Sequence, residues 1–591
     1  MPDIYKIFPA IGVARVGNSS EYYLAPDSAG GLPEGDFNGQ FRDGSGLMKR
    51  QGVKFKVFCY PEAGGDPYEV IPGENGVASI EWTVHLANKK SAWYDFAPIK
   101  GEGTYPPPEL NDDGESNLRN PNVTGSERAN LITDPGPRTL TGPSQTAEFS
   151  RTSTPPEGYV MTFPPTTLSP NQIDSLGEIH TDAQGQLIVV GGYGQSGTDL
   201  PYPPAEDIDY VNNDNWWDDT SDGPVDATIV FSDGVTPSTN AATAWVAVTP
   251  PRFAPEIVSQ ITMYDVIFDV AVRNFPDYRP DIYSNGTYQT TYQTDPITEV
   301  QDILNRAYLY RGVSTDVGNH KFNYGSTLPE NVYKYMRAPD QDNESGETIV
   351  ARGLMPMLAG DGSASSVAED PERRSLYVTF TATQMHFATQ YYNGVITDVP
   401  LPEDEPDRLT RVALQNCSGA AFAPGIEMTW FARRPEIYVE PLRLNKRNYT
   451  GTLSPDATPL ADGLEPGDFT KYMAIPWQAD FNECAVQWTL DNPSTSKNWV
   501  NWWPAQRPLK VNRDGQRNVA WIGIDTDPND DYYNHLRFEL DTDMVDHWSE
   551  LGFVLNQGTA DSPDFIEVER TYVDGTAEQS KPRPKRGRNK R

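Results

Sequence analysis

The stretch IPWQADFNECAVQW, residues 475–488, sets a carboxylate, Asp480, four residues before Cys484, one of only three cysteines in the chain. A little further on, NWVNWWPAQRP supplies Trp499, Trp502 and Trp503. Unmodified side chains do not readily cycle two electrons at a mild potential, so redox enzymes rely on a cofactor. A chain can also make one from itself. An indole oxygenated to an ortho-quinone and joined to a cysteine sulfur becomes an electrophilic, redox-active carbonyl. That chemistry needs a thiol against an indole, a carboxylate to move protons and a dry pocket, and Asp480, Cys484 and the tryptophans are residues of those types. Inert aromatic packing is the plainer alternative, because with thirteen tryptophans a cysteine near an indole is common.

Other chemistries find less support. The six histidines, His85, His180, His320, His386, His535 and His547, form no pair at metal-ligand spacing, and Cys59, Cys417 and Cys484 fit neither a zinc pattern nor a disulfide framework. GGYGQSGT, residues 191–198, lacks the lysine of a phosphate-binding loop and the pattern of a serine elbow; a tight turn after a buried strand is expected there. Two acidic clusters, residues 212–224 and 525–531, offer oxygen ligands for calcium or magnesium, but neither matches the twelve-residue calcium loop. Asx turns around two half-buried tryptophans are the expectation for the first. A formal charge of −36 excludes nucleic acid or an anionic membrane as the main partner, since phosphate binding needs a basic footprint.

The elements that must position these residues divide unevenly. At 591 residues, more than one domain is expected, and 52 prolines and 48 glycines predict many turns. The fold class is α+β. Residues 1–250 read as a β-rich N-terminal domain with long loops, from runs such as VKFKVFCY, GQLIVVGGYG and ATAWVAVTP. The segment 111–156 reads as an extended surface excursion. Residues 251–575 read as a mixed helical and β catalytic domain, with helices over APEIVSQITMYDVIFDVAVRNF (Pro255 near the start), over 298–313 and over 384–392, and a late strand in NVAWIGIDTD. Residues 576–591, ending KPRPKRGRNKR, read as a disordered basic tail. No apolar run is long enough to span a membrane, and the first residues lack a signal-peptide layout; a cytoplasmic location is the default, with non-classical secretion leaving no trace.

PWQADFNEC followed by WWPAQRP resembles the cysteine tryptophylquinone oxidases, the family that includes lysine ε-oxidase (LodA-like) and glycine oxidase (GoxA-like). IGVARVGNSSEYYLAPD, DGSGLMKRQGVKFKVF, NDNWWDDTSDGPV, VTPPRFAPEI, LMPMLAGDG and NCSGAAFAPGIEMTW are similar to family signatures and occur in the family's order from Ile11 to Pro508. The resemblance implies that Cys484 is the thioether half of the quinone cofactor and that Asp480 serves its maturation, with proton removal from the substrate carbon as a further suggested role. The quinone tryptophan is then Trp503 in first place, Trp502 in second and Trp499 in third. Cys417 matches a second family cysteine near the site, outside the crosslink.

The implied reaction is oxidative deamination of an amino acid or other primary amine, with dioxygen reduced to hydrogen peroxide and ammonia released. Arg433 and Arg434, or Arg507, are the candidate fork for a substrate carboxylate. The chain has no histidine between His386 and His535, where characterised members place one, so neither lysine nor glycine is assigned as substrate. The family also implies a homo-oligomer and a separate flavin-dependent maturation enzyme, and this chain carries no flavin fingerprint of its own. Two rival readings are a catalytically silent relative acting as a binding or scaffold protein, and a β-rich carbohydrate-binding protein.

Overall fold

Alternation of apolar and polar side chains makes the first half of the chain a sheet. In Val77–Val84 the residues Val77, Ile80, Trp82 and Val84 are buried while Ala78 and Glu81 face out. The computed structural model describes residues 3–33, 37, 39–95, 118–314, 321–339, 354–359, 378–399, 403–419, 431–456, 460–488, 499–523 and 536–573. The basic tail and the acidic run 525–531 lie outside the described residues.

Nine strands follow one another across the main sheet: Arg138–Thr141, Val77–Val84, Ser221–Phe231, Ala244–Thr249, Ile11–Arg15, Arg50–Tyr60, Leu187–Val190, Ser175–Thr181 and Thr146–Ser150. The two end strands are consecutive in the chain, and the Arg138 Nε donates to the Glu148 carbonyl at 2.8 Å. The sheet therefore curls back on itself, which protects both edges from further pairing. Ala244–Thr249 is buried at every residue and runs parallel to Ile11–Arg15, as expected of a strand covered on both faces. Helices and short hairpins follow in the second half, so the α+β reading with its β-rich front half holds.

Two expectations need correction. The supposed excursion 111–156 holds a 3-10 turn, Gly125–Leu131, and both of the strands that close the sheet. Four or five residues suffice for an edge strand, and in Arg138–Thr141 burial alternates within a composition that reads as loop. The first long helix begins at Met263, not near Pro255. Its true start is a capping box: Thr262 Oγ1 accepts the Asp265 N–H at 3.2 Å, while Asp265 accepts the Thr262 N–H at 2.7 Å. The helices Ala382–Tyr392 and Glu405–Gln415 start under Thr381 and Asp404 in the same way.

The acidic cluster 212–224 acts as a rivet. Trp216 and Trp217 are fully buried, not half-buried, and so are Asp218, Asp219 and Asp222. Asp222 accepts from Trp245 Nε1 at 2.9 Å and from the Thr470 N–H and hydroxyl at 2.8 and 2.6 Å; burial raises it to about 6. Asp218 holds the Lys90 ammonium at 2.6 Å, and Lys90 also donates to the Ala474 carbonyl at 2.9 Å. Removing one member of a buried pair strands the other charge, at a cost of about 3–5 kcal/mol. Asp218→Ala is therefore expected to lower unfolding stability by about that amount in urea titration, with partial recovery in the Asp218→Ala, Lys90→Met double variant. A single variant as stable as the parent would show that the pair holds nothing together.

Candidate active site

The seven-residue helix Trp477–Glu483 carries the opening motif, and its residues are buried from Trp477 to Asn482. A short helix in the interior has unpaired backbone ends, and here polar side chains from distant segments meet them. The Trp477 N–H donates to Asp218 at 3.1 Å. Gln478 accepts from Ser196 Oγ at 2.6 Å and donates to the Gly194 carbonyl at 3.0 Å, so the glycine-rich turn after Leu187–Val190 seats the site helix. Asn482 donates to Asp541 at 2.8 Å.

Arg507 closes the other end. Its Nε donates to the Phe481 carbonyl at 2.6 Å, and its Nη2 to the Asn482 and Leu536 carbonyls at 3.1 and 2.7 Å. A cation at a helix C-terminus also opposes the local negative potential. This corrects one expectation: Arg507 is a backbone clamp with its donors engaged, not a fork for a substrate carboxylate. Burial lowers it to about 9.

The spacing of four places Asp480 and Cys484 on one face, and the contact is direct. The Cys484 thiol donates to Asp480 Oδ1 at 2.6 Å, and the Cys484 N–H donates to the Asp480 carbonyl at 2.8 Å. Burial first, and then the Asp480 charge, push the thiol well above its usual range. Asp480 is fully buried.

A hairpin brings the tryptophans back to this point. Val486–Trp488 pairs antiparallel with Trp499–Asn501, in the register Val486↔Asn501 and Trp488↔Trp499. The Trp502 N–H then donates to the Ala485 carbonyl at 3.2 Å, beside Cys484. Trp499 lies opposite Trp488, which is four residues beyond Cys484 in the chain. Trp502 and Trp503 are buried with ring centroids 5.1 Å apart, tilted by 35°. Trp503 Nε1 is buried without a hydrogen-bond partner. A paired thiol and carboxylate next to a buried, adaptable indole pair fit a self-derived tryptophylquinone.

Trp502 and Trp503 also line a narrow cleft with Ser259, Gln260, Tyr310 and Ser418, with room for one water at most. Cys417, one residue from that lining, is buried; Arg15 Nη2 lies 3.8 Å from its sulfur. The Met263 N–H donates to the Cys417 carbonyl, and the Gly419 N–H to that of Ile261, both at 3.1 Å. A Cβ on Gly419 would come within 1.9 Å of the Thr262 carbonyl oxygen, so this approach requires glycine. Arg433 ends a short turn, Phe431–Arg433, and Arg434 reaches Glu436 at 3.4 Å; neither lines the cleft. Ser259, Gln260, Tyr310 and Ser418 escaped the sequence reading, although Ser418 sits inside the recognised NCSG motif and the other three have neutral side chains that announce no chemistry.

The chain is similar to known proteins along most of its length. The chain matches the family described as L-lysine epsilon oxidase N-terminal over residues 8–248, and the L-lysine epsilon oxidase C-terminal domain over residues 360–504. It is 32% identical to an L-lysine 6-oxidase of Marinomonas mediterranea, across 96% of this chain and 89% of that one. The crystal structure of the L-Lys epsilon-oxidase from the same organism superposes with a TM-score of 0.80 at 30% identity, covering 96% of this chain and 95% of the other. The structure of that enzyme's Schiff base intermediate with L-Lys gives 0.79 at 29% identity over the same shares.

Proposed function

The chain belongs to the L-lysine epsilon oxidase family, and from that premise we propose that it oxidatively deaminates the primary amine of an amino acid through a cysteine tryptophylquinone built from Cys484 and Trp503. The observation that carries this reading is the thiol–carboxylate contact of Cys484 with Asp480, one residue from the backbone bond that ties Trp502 to Ala485. The quinone, once formed, would supply an electrophilic carbonyl and a two-electron sink that dioxygen empties, giving hydrogen peroxide.

The protein's own residues have defined tasks. Asp480 takes the thiol proton during crosslinking, and afterwards, buried and close by, serves as the base for the carbon that bears the substrate nitrogen. Arg507 holds the last turn of the helix so that Asp480 and Cys484 stay in register with the tryptophans. Arg433 and Arg434, which stand outside the cleft lining, remain the proposed cations for a substrate carboxylate; Arg434 also pairs with Glu436 at 3.4 Å. Forming the thioether breaks the S–H bond and an indole C–H bond and makes S–C, releasing two protons and two electrons. A separate flavin-dependent enzyme working with dioxygen takes those electrons and inserts the first ring oxygen. The relative's Schiff base structure with L-Lys supports an amino acid as substrate.

Tryptophan substitutions test the assignment. In protein produced with its flavoenzyme, Trp503→Phe is expected to remove the quinone absorbance, while Trp502→Phe keeps it. The reverse pattern would transfer the quinone to Trp502, and absorbance surviving in both variants would remove it from this pair.

A further inference from the structure

We infer that the cleft beside Trp502 and Trp503 seats the water that hydrolyses the product's C=N bond, and that Gln260 positions it. The inference rests on the deamination reading. Hydrolysis delivers the water oxygen to carbon and both its protons to nitrogen, so an amine oxidase of this kind needs one oriented water in an otherwise dry site.

The cleft is small and mixed in character, with apolar Ile261, Leu358 and Val378 lining it beside the polar groups. It admits about one water, and such a water needs two to four polar partners. Two lining residues each keep a buried polar atom without a partner: the acceptor Gln260 Oε1 and the donor Trp503 Nε1. Leaving such atoms unsatisfied costs about 1–3 kcal/mol each. A single water that donates to Gln260 and accepts from the indole satisfies both. Ser259 and Ser418, whose hydroxyls lie 3.0 Å apart, complete the polar wall.

Gln260 is fixed, as a positioning residue must be. Its Nε2 donates to the Ile303 carbonyl at 2.7 Å, which determines which end of the amide is oxygen. Its backbone N–H donates to the Tyr310 hydroxyl at 2.6 Å, and its carbonyl accepts from Arg306 at 3.3 Å. The side-chain nitrogen is engaged by Ile303 and the oxygen has no protein partner, so loss of Gln260 should spare crosslink formation.

Gln260→Met keeps the volume and removes the acceptor. In the crosslinked enzyme, anaerobic bleaching of the quinone by substrate amine is expected within about twofold of the parent, while release of the carbonyl product slows about 10²-fold, the scale of a misplaced reactant. Gln260→Glu keeps an acceptor at the same reach but loses the donor to Ile303, so it should recover only part of the release rate. Equal loss of both half-reactions, or unchanged product release, would overturn the role. A crystal structure of the cofactor-free precursor supplies the independent readout. An ordered water within hydrogen-bond distance of Gln260 Oε1, absent in Gln260→Met, supports the seat; a parent cleft with no such water overturns it. Parent enzyme that never bleaches would instead overturn the oxidase reading and the hydrolytic role, leaving the water seat to the crystal structures.

Discussion

Cys484→Ala is expected to fold, to assemble, and to show neither quinone absorbance nor peroxide production above background. The sulfur is the only atom in the proposed crosslink that alanine lacks. Losing one partly buried sulfhydryl should cost stability no more than about 1–2 kcal/mol, small beside what unfolds a chain of this size. Cys417→Ala is the matched control. That sulfur is buried near Arg15, with its thiol 3.5 Å from the Ala413 carbonyl, so its removal perturbs the wall of the cleft and leaves the Cys484 contacts in place. Crosslinked protein from Cys417→Ala and none from Cys484→Ala is the expected pair of results, read by absorbance and by intact mass. Quinone absorbance in Cys484→Ala would show that another residue supplies the thioether.

Asp480→Asn should be nearly as severe and for a different reason. Asparagine matches the shape and can still accept the thiol's hydrogen bond, yet it cannot remove the proton. A thiol pushed well above its ordinary range by burial and a neighbouring charge will not ionise unaided at neutral pH, so attack on the ring stalls. The variant is expected to fold with an intact Trp477–Glu483 helix and to accumulate as uncrosslinked precursor. Any fraction that matures should turn over about 10²–10⁴-fold more slowly, the usual worth of a positioned base. Full absorbance with parental turnover would show that Asp480 neither matures the cofactor nor acts on substrate.

How far the sequence carried this account depended on how local each signal was. The Asp480–Cys484 contact was accessible because a separation of four residues is a one-turn relation within a helix. Strands such as Ala244–Thr249 were accessible because their apolar runs are continuous and bounded by turn residues. The stretch from Pro255 to Ile261 was misread because its apolar periodicity is helical while its backbone bonds are tertiary. The Gln260 N–H goes to the Tyr310 hydroxyl, and the Ile261 carbonyl to Gly419, so the helix cannot start until Thr262. That departure from local preference is what puts Ser259 and Gln260 on the cleft, in keeping with the tendency of functional sites to break local rules.

Arg507 was misjudged for a similar reason. A conspicuous arginine beside aromatic residues suggests a ligand fork, and only the fold reveals that carbonyls of two separate segments already occupy its donors. The acidic cluster at 212–224 likewise could not be distinguished from a metal site by composition. Its carboxylates find their partners, Lys90 and Thr470, far away in the sequence.

The central claim is a covalent bond between Cys484 and a tryptophan of the following hairpin. Peptide mapping by mass spectrometry, on protein produced together with its flavin-dependent maturation enzyme, tests it most directly. The account predicts one joined peptide that contains Cys484 and Trp503 and carries the added ring oxygens. Separate, unmodified Cys484 and Trp499–Trp503 peptides from that material would contradict it.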